Sequence, residues 1–190
     1  RPIRVRTPLP PDALLLTGFA GTEGLSRLFS FALDLRSKAD EPADFADVLG
    51  QPVTVELDLP AGGTRYFHGF VSRFSQGERD AEFLTYRAEV VPHAWLLTRR
   101  ERSRTFQHLS VPDILRQVLA GLDADFQGVQ GKFEPRDYCV QYRESDWDFA
   151  SRLMEEEGIY YFFTHEDGVH TLVLANTPPG HPDLPEGAEL

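Results

Sequence analysis

The chain has 190 residues, 41% of them hydrophobic, and a formal net charge of -11. That length and apolar content suffice for a packed core and exclude general disorder, while the acidity excludes a phosphate-neutralising nucleic-acid surface, which needs a basic face. The single cysteine, Cys139, excludes an intramolecular disulfide, and no stretch is long or apolar enough to span a membrane.

Arg1, with no initiator methionine and no signal-peptide apolar core after it, reads as the start of an excised piece. Ala13 to Phe19 is an apolar run ended by Gly18, Gly21 and Gly24, which suits a bent strand and a wide turn. Leu28 to Leu35 predicts a strand with Phe29, Phe31, Leu33 and Leu35 on one face. After a polar connector, Phe45, Val48 and Leu49 before Gly50 predict a short helical turn. Val53, Val55, Leu57 and Leu59 alternate with polar residues in the next strand. A strand from Thr64 to Gln76 holds Gly69 in its interior, where a bulge or tight bend is expected. The turn Gly77 to Asp80 returns the chain into Ala81 to Val91. Long antiparallel strands joined by short turns protect their edges by closing into a small barrel.

After Pro92 the pattern changes. Trp95, Leu96 and Leu97 form an apolar knot, and Ser103 to Gln107 a short strand. Ser110, Pro112 and Asp113 announce a helix with Ile114, Leu115, Val118 and Leu119 as its stripe, ended by Gly121. Asp123 to Pro135 lacks a period and reads as an irregular loop. Tyr138, Val140 and Tyr142 then alternate with Asp137, Cys139 and Gln141 along a strand. Ser145 followed by Asp148 is a capping box, and Asp146 adds a negative charge at the positive end of the helix dipole. Trp147, Phe149, Ala150, Leu153 and Met154 make the buried arc of the helix, and Gly158 its C-terminal cap. Ile159 to Thr164 and Val169 to Leu174 pair as a hairpin around His165 to Gly168.

The expected fold is mainly β with an α+β part. An antiparallel β-barrel over 1-98 is followed over 99-175 by an α+β segment with a strand-helix-strand unit and two helices. Residues 176-190, with four prolines, form a linker or the start of a truncated next domain.

The residues that carry chemistry have structural readings. Arg99, Arg100, Arg102 and Arg104, the sole basic cluster, read as a solvated strand edge or a protein contact. Glu155, Glu156 and Glu157 with Asp146 and Asp148 supply carboxylates for a glycosidase acid-base pair. Consecutive glutamates on a helix diverge, however, and read as solvated or paired with Arg152 and Arg143. His165 and His170 flank an exposed turn without a third strong ligand. His68, His93, His108 and His181 read as scattered surface or core-edge residues. Cys139 reads as a buried, inert thiol. Tyr66, Phe67, Phe70 and Phe74 read as barrel core, with a carbohydrate-binding barrel as the competing class. No catalytic residue, cofactor or metal site is expected.

The run Val140, Gln141, Tyr142, Arg143, Glu144, Ser145, Asp146, then Phe149, Arg152, Leu153, Glu155, Glu156, Glu157, Gly158 and Ile159, resembles the N-terminal hub region of VgrG, the type VI secretion spike family. That region is similar to the baseplate hub proteins of contractile phage tails. Weaker pieces follow the same order: Phe67, His68, Gly69 and Val71; Pro92, Trp95, Leu96 and Leu97; Phe106, Val111, Ile114 and Leu115. Trp147 stands where a smaller aromatic is expected. The resemblance implies a structural, non-enzymatic part of a homotrimeric spike hub that docks on a hexameric Hcp-like tube protein. It also implies contacts with baseplate, spike-tip and effector proteins, and assembly in the bacterial cytoplasm before secretion. A phage tail hub is the alternative within the family. Gln141, Tyr142, Glu144, Ser145, Asp146, Trp147, Phe149, Arg152, Leu153, Glu156 and Gly158 are the signature residues, with structural roles. Whether Gln141 and Tyr142 lock helix to sheet or face a neighbouring subunit is left open by the sequence.

Overall fold

A computed structural model describes residues 2-178, so the expected linker lies almost wholly outside the described residues. The chain divides into two compact units, Arg1–Trp95 with Phe163–Thr171, and Leu96–Phe162 with Leu172 onward.

The first unit is built on six antiparallel strands: β1 (Ile3–Arg6), β2 (Leu15–Thr22), β3 (Ser30–Lys38), β4 (Pro52–Asp58), β5 (Thr64–Arg79) and β6 (Phe83–Val91). Their order is β1-β4-β5-β6-β3-β2, so β1 and β2 are the sheet's edges and the barrel is a curled half-barrel, not a ring of paired strands. Alternation fixes the inner face. Phe31, Leu33 and Leu35 of β3, Val53 and Val55 of β4, and Leu84, Tyr86, Ala88 and Val90 of β6 are all buried together. Phe74 stacks on Tyr86 at 5.0 Å, and Phe29 on Phe31 at 4.6 Å. Of the four aromatics expected in the core, Phe67 and Phe74 are buried, whereas Tyr66 and Phe70 are half-buried.

β1 is an addition to the sequence reading. Its four residues lie between prolines, and Arg4 pins it by bonding Asp58 at 2.8 Å and Glu56 at 3.3 Å across the pair with β4. Gly69 is not a bulge. The β4–β5 register runs through it unbroken, and the irregularities lie at Val71/Arg73 and Gln76/Arg79. A Cβ at residue 69 would stand 2.8 Å from the Val91 carbonyl oxygen, so glycine is there to let β6 approach.

In the second unit, β7 (Glu101–Phe106) pairs antiparallel with β9 (Cys139–Ser145). Helices α1 (Val111–Val118) and α2 (Asp146–Glu156) pack on each other. The stretch read as an irregular loop contains β8 (Ala124–Gly128). It runs parallel to β11 (Val169–Ala175) in a three-stranded sheet ordered β10-β11-β8, with β10 spanning Tyr160–Glu166. Five residues with no clear period give no local signal, and the partner strand is more than forty positions away. Ser110 caps α1 differently from the expectation: its hydroxyl donates to the Asp113 carboxylate at 2.5 Å and makes no bond to a helix N–H.

Candidate functional site

The signature residues gather on the strand and helix that meet at Ser145. β9 presents Cys139 and Gln141 inward and leaves Tyr138, Val140 and Tyr142 exposed. At Ser145 the chain enters α2 in extended geometry, and the hydroxyl accepts the Asp148 N–H at 3.0 Å. The same hydroxyl donates to the Asp148 carboxylate at 2.7 Å, so the box closes between side chains. Gly158 ends the helix at φ +66, the left-handed conformation glycine tolerates best, and the Ile159 N–H returns to the Met154 carbonyl at 2.8 Å.

Asp146 is the centre of the site. Its side chain is 0% exposed. Oδ2 accepts from Arg100 Nε at 2.5 Å, and Oδ1 accepts from Arg104 Nη2 at 2.8 Å and from Gln141 Nε2 at 2.9 Å. Arg102 Nε lies 3.7 Å away, and the Asp146 N–H donates to the Arg100 carbonyl at 2.9 Å. Burial pushes this carboxyl up. The bonds from Gln141 and Arg100 and the charge of Arg104 outweigh burial and hold it below the usual carboxylate range. Of the solvated and salt-bridged readings, Asp146 takes the second, as a buried counter-ion, and three of the four clustered arginines converge on it, a meeting the sequence reading did not foresee.

Gln141 and Tyr142 separate. Gln141 Oε1 accepts from Arg104 Nε at 2.9 Å and its amide donates to the Glu144 carbonyl at 3.1 Å, and its bond to Asp146 ties the strand to the start of α2. Tyr142 is 66% exposed, with the Arg143 guanidinium 5.3 Å from its ring centre. Arg152 bonds Glu144 at 2.8 Å and Glu156 at 3.1 Å, as the charge pattern predicts. The second cation on the acidic turn is Arg136, which bonds Glu156 at 2.6 Å and Glu157 at 2.7 Å, in place of the expected Arg143. Phe149 stacks on Phe106 at 5.6 Å, Leu153 is fully buried, and Trp147 meets Tyr161 edge-on at 5.2 Å. Burial raises the Tyr161 hydroxyl to about 12. Glu144, Glu156 and Glu157 are thus bound into ion pairs beside a packed helix, not aimed into a cleft.

The histidines need the largest correction. His170 is buried and His165 half-buried with its side chain only 7% exposed, not exposed at a turn, and His68 is buried beside them in the first unit. The His68 and His170 ring centres are 5.4 Å apart, and those of His165 and His170 6.2 Å apart. Both nitrogens of His165, Nε2 of His170 and Nδ1 of His68 meet protein groups, and among the described residues no cluster of three metal-ligating side chains occurs. Periodicity could not find them, because His68 and the hairpin are about a hundred residues apart.

The chain is similar to known proteins. The family model described as phage tail baseplate hub (GPD) matches residues 22–190. The type VI secretion system spike protein VgrG1c of Pseudomonas aeruginosa is 44% identical over 194 residues, covering 97% of this chain and 26% of that protein. The actin cross-linking toxin VgrG1 of Vibrio cholerae is 32% identical over 189 residues, covering 94% of this chain and 17% of the toxin. This chain therefore spans about a quarter or less of these relatives. Among solved structures, the E. coli c3393 protein, a component of the type VI secretion system, superposes with a TM-score of 0.84 at 24% identity, over 97% of this chain and 53% of its own.

Proposed function

Because the chain belongs to the phage tail baseplate hub family, we propose that it forms the hub of a type VI secretion spike, a structural part that assembles as a homotrimer. In this reading the trimer docks on a hexameric tube protein, contacts baseplate and spike-tip proteins, and helps carry effectors out of the cell in which it is assembled. The observation that carries the reading is the 44% identity to a spike protein across 97% of this chain. The site supports a mechanical role: its charged side chains are bonded to one another in pairs or around Asp146 and its aromatics are packed, so strand, helix and cap form one stiff corner. No chemistry is assigned to the glutamates, since a general acid-base pair needs carboxylates facing a substrate.

Light scattering of the full-length polypeptide that carries this chain, alone and mixed with tube protein, tests the proposal. The expected mass is that of three copies, rising when tube rings are added. A monodisperse full-length monomer that ignores tube protein overturns it. Glycan turnover or saturable glycan binding by this chain would favour the enzyme or sugar-binding classes instead.

A further inference from the structure

Phe163–Thr171 joins the first unit from the far end of the sequence, and it meets that unit through two imidazoles. His165 Nδ1 accepts the backbone N–H of His68 at 3.1 Å, and His170 Nε2 accepts the backbone N–H of His93 at 3.0 Å. A ring nitrogen that accepts a hydrogen bond carries no proton. His165 therefore keeps its proton on Nε2, 2.8 Å from Glu23 Oε1. His170 keeps its own on Nδ1, which is buried and has no hydrogen-bond partner among the described residues. The two rings are in opposite tautomers, each set by a backbone donor. Phe29 packs between them, with its ring centre 4.9 Å from His165, 5.4 Å from His170 and 5.0 Å from Phe163.

We propose that these two imidazole acceptors form an acid-released latch. A proton added to His170 Nε2 turns an acceptor into a donor aimed at the His93 backbone N–H, and the hairpin tip leaves the half-barrel while the sheet stays folded. The surroundings give such a proton little support. His170 faces His68 on β5, His93 in the 3-10 helix His93–Arg99, and His165 on its own hairpin, with Phe29 and Phe70 closing the remaining sides. The carboxylate of Glu23 is turned away from His170, toward His165 Nε2, and is shared with Arg65 at 3.8 Å. Arg6 and Asp167 pair with each other near His68, whose Nδ1 lies 2.9 Å from the Thr54 hydroxyl.

The pH window follows from the direction of the shifts. Burial first, then the neighbouring imidazoles, hold His170 at about 3, and burial with His165 lowers His68 as well. A histidine whose folded value is depressed stabilises docking fully above its free value of 6.5, and loses that contribution as pH falls below it. For His170 the loss is about tenfold in the docking equilibrium per pH unit within that window.

Two measurements on this chain test the latch. Long-range proton–nitrogen NMR of the imidazoles at about pH 7.5 should find His165 protonated on Nε2 and His170 on Nδ1. Hydrogen exchange, corrected for its intrinsic pH dependence, should show the amides of Phe163–Thr171 opening about tenfold more readily at about pH 5.5 than at about pH 7.5, with β6 unchanged. His170→Gln keeps a side-chain acceptor but cannot titrate, and should flatten that response. If this variant does not fold, the tautomers and the native exchange profile still decide. A charged His170 or the reverse tautomer at neutral pH overturns the latch, as does hairpin exchange that follows β6 throughout the acid window.

Discussion

Asp146 shows how a single carboxylate can organise a corner. Replacing a whole buried ion cluster by apolar groups is often neutral, but removing one partner strands the others. Asp146→Asn would leave Arg100 and Arg104 facing a neutral amide, and we expect a loss of about 3–5 kcal/mol in chemical unfolding. Tyr142→Ala, on the exposed face of the same strand, should stay within about 0.5 kcal/mol. Equal losses would mean that the cluster is not what holds the strand to the helix. Because the folded carboxyl lies below its unfolded value of about 3.9, its stabilisation is complete above that pH and drains away as pH falls through the lower folded value. The native chain should therefore lose stability relative to Asp146→Asn below about pH 4, which acid unfolding of the pair would read. Sequence gave the identities in this cluster but not their meeting, since the arginines and Asp146 are more than forty positions apart and no periodic pattern links them.

At the scale of elements, the local signals are the ones that were legible. Alternation placed the buried face of β3 and, in β4, Val53 and Val55, though Thr54 is buried too and Leu59 is exposed beyond the strand, and Ser145, Trp147 and Gly158 marked the start, face and end of α2. What the sequence concealed, β1, β8 and the role of Gly69, depends on strands that arrive from elsewhere in the chain. The energetic order within α2 is testable. Trp147 is buried against Tyr161, so Trp147→Ala should cost about 3–5 kcal/mol, and Ser145→Ala only about 1 kcal/mol through the lost cap. A Trp147 cost below about 0.5 kcal/mol would place that ring outside the core. The glycines should differ in kind. Gly158→Ala meets open space at a left-handed φ and should cost about 1–2 kcal/mol. Gly69→Ala drives a methyl group into the Val91 carbonyl and the Val90 side chain, and should cost about as much as other overpacked core sites, 1–3 kcal/mol, with β6 displaced. Unfolding curves give the costs, and β6 amide shifts distinguish crowding from backbone strain.

The whole chain carries its acidity as a solubility device, and that device weakens in the range where the latch is expected to open. At neutral pH the net charge is -11, and that charge shrinks as the chain is acidified. The isoelectric point is about 4.9. Near that value mutual repulsion between copies vanishes, and attraction between exposed apolar groups such as Tyr138, Tyr142 and Leu96 is no longer opposed. The concentration left in solution after centrifugation should pass through a minimum near pH 4.9 in low salt. It should recover on the acid side as positive charge accumulates. Association of this origin depends on protein concentration, whereas release of the hairpin tip is a property of one molecule and should be the same on tenfold dilution. A solubility that stays flat through the isoelectric point would show that net charge is not what keeps the copies apart.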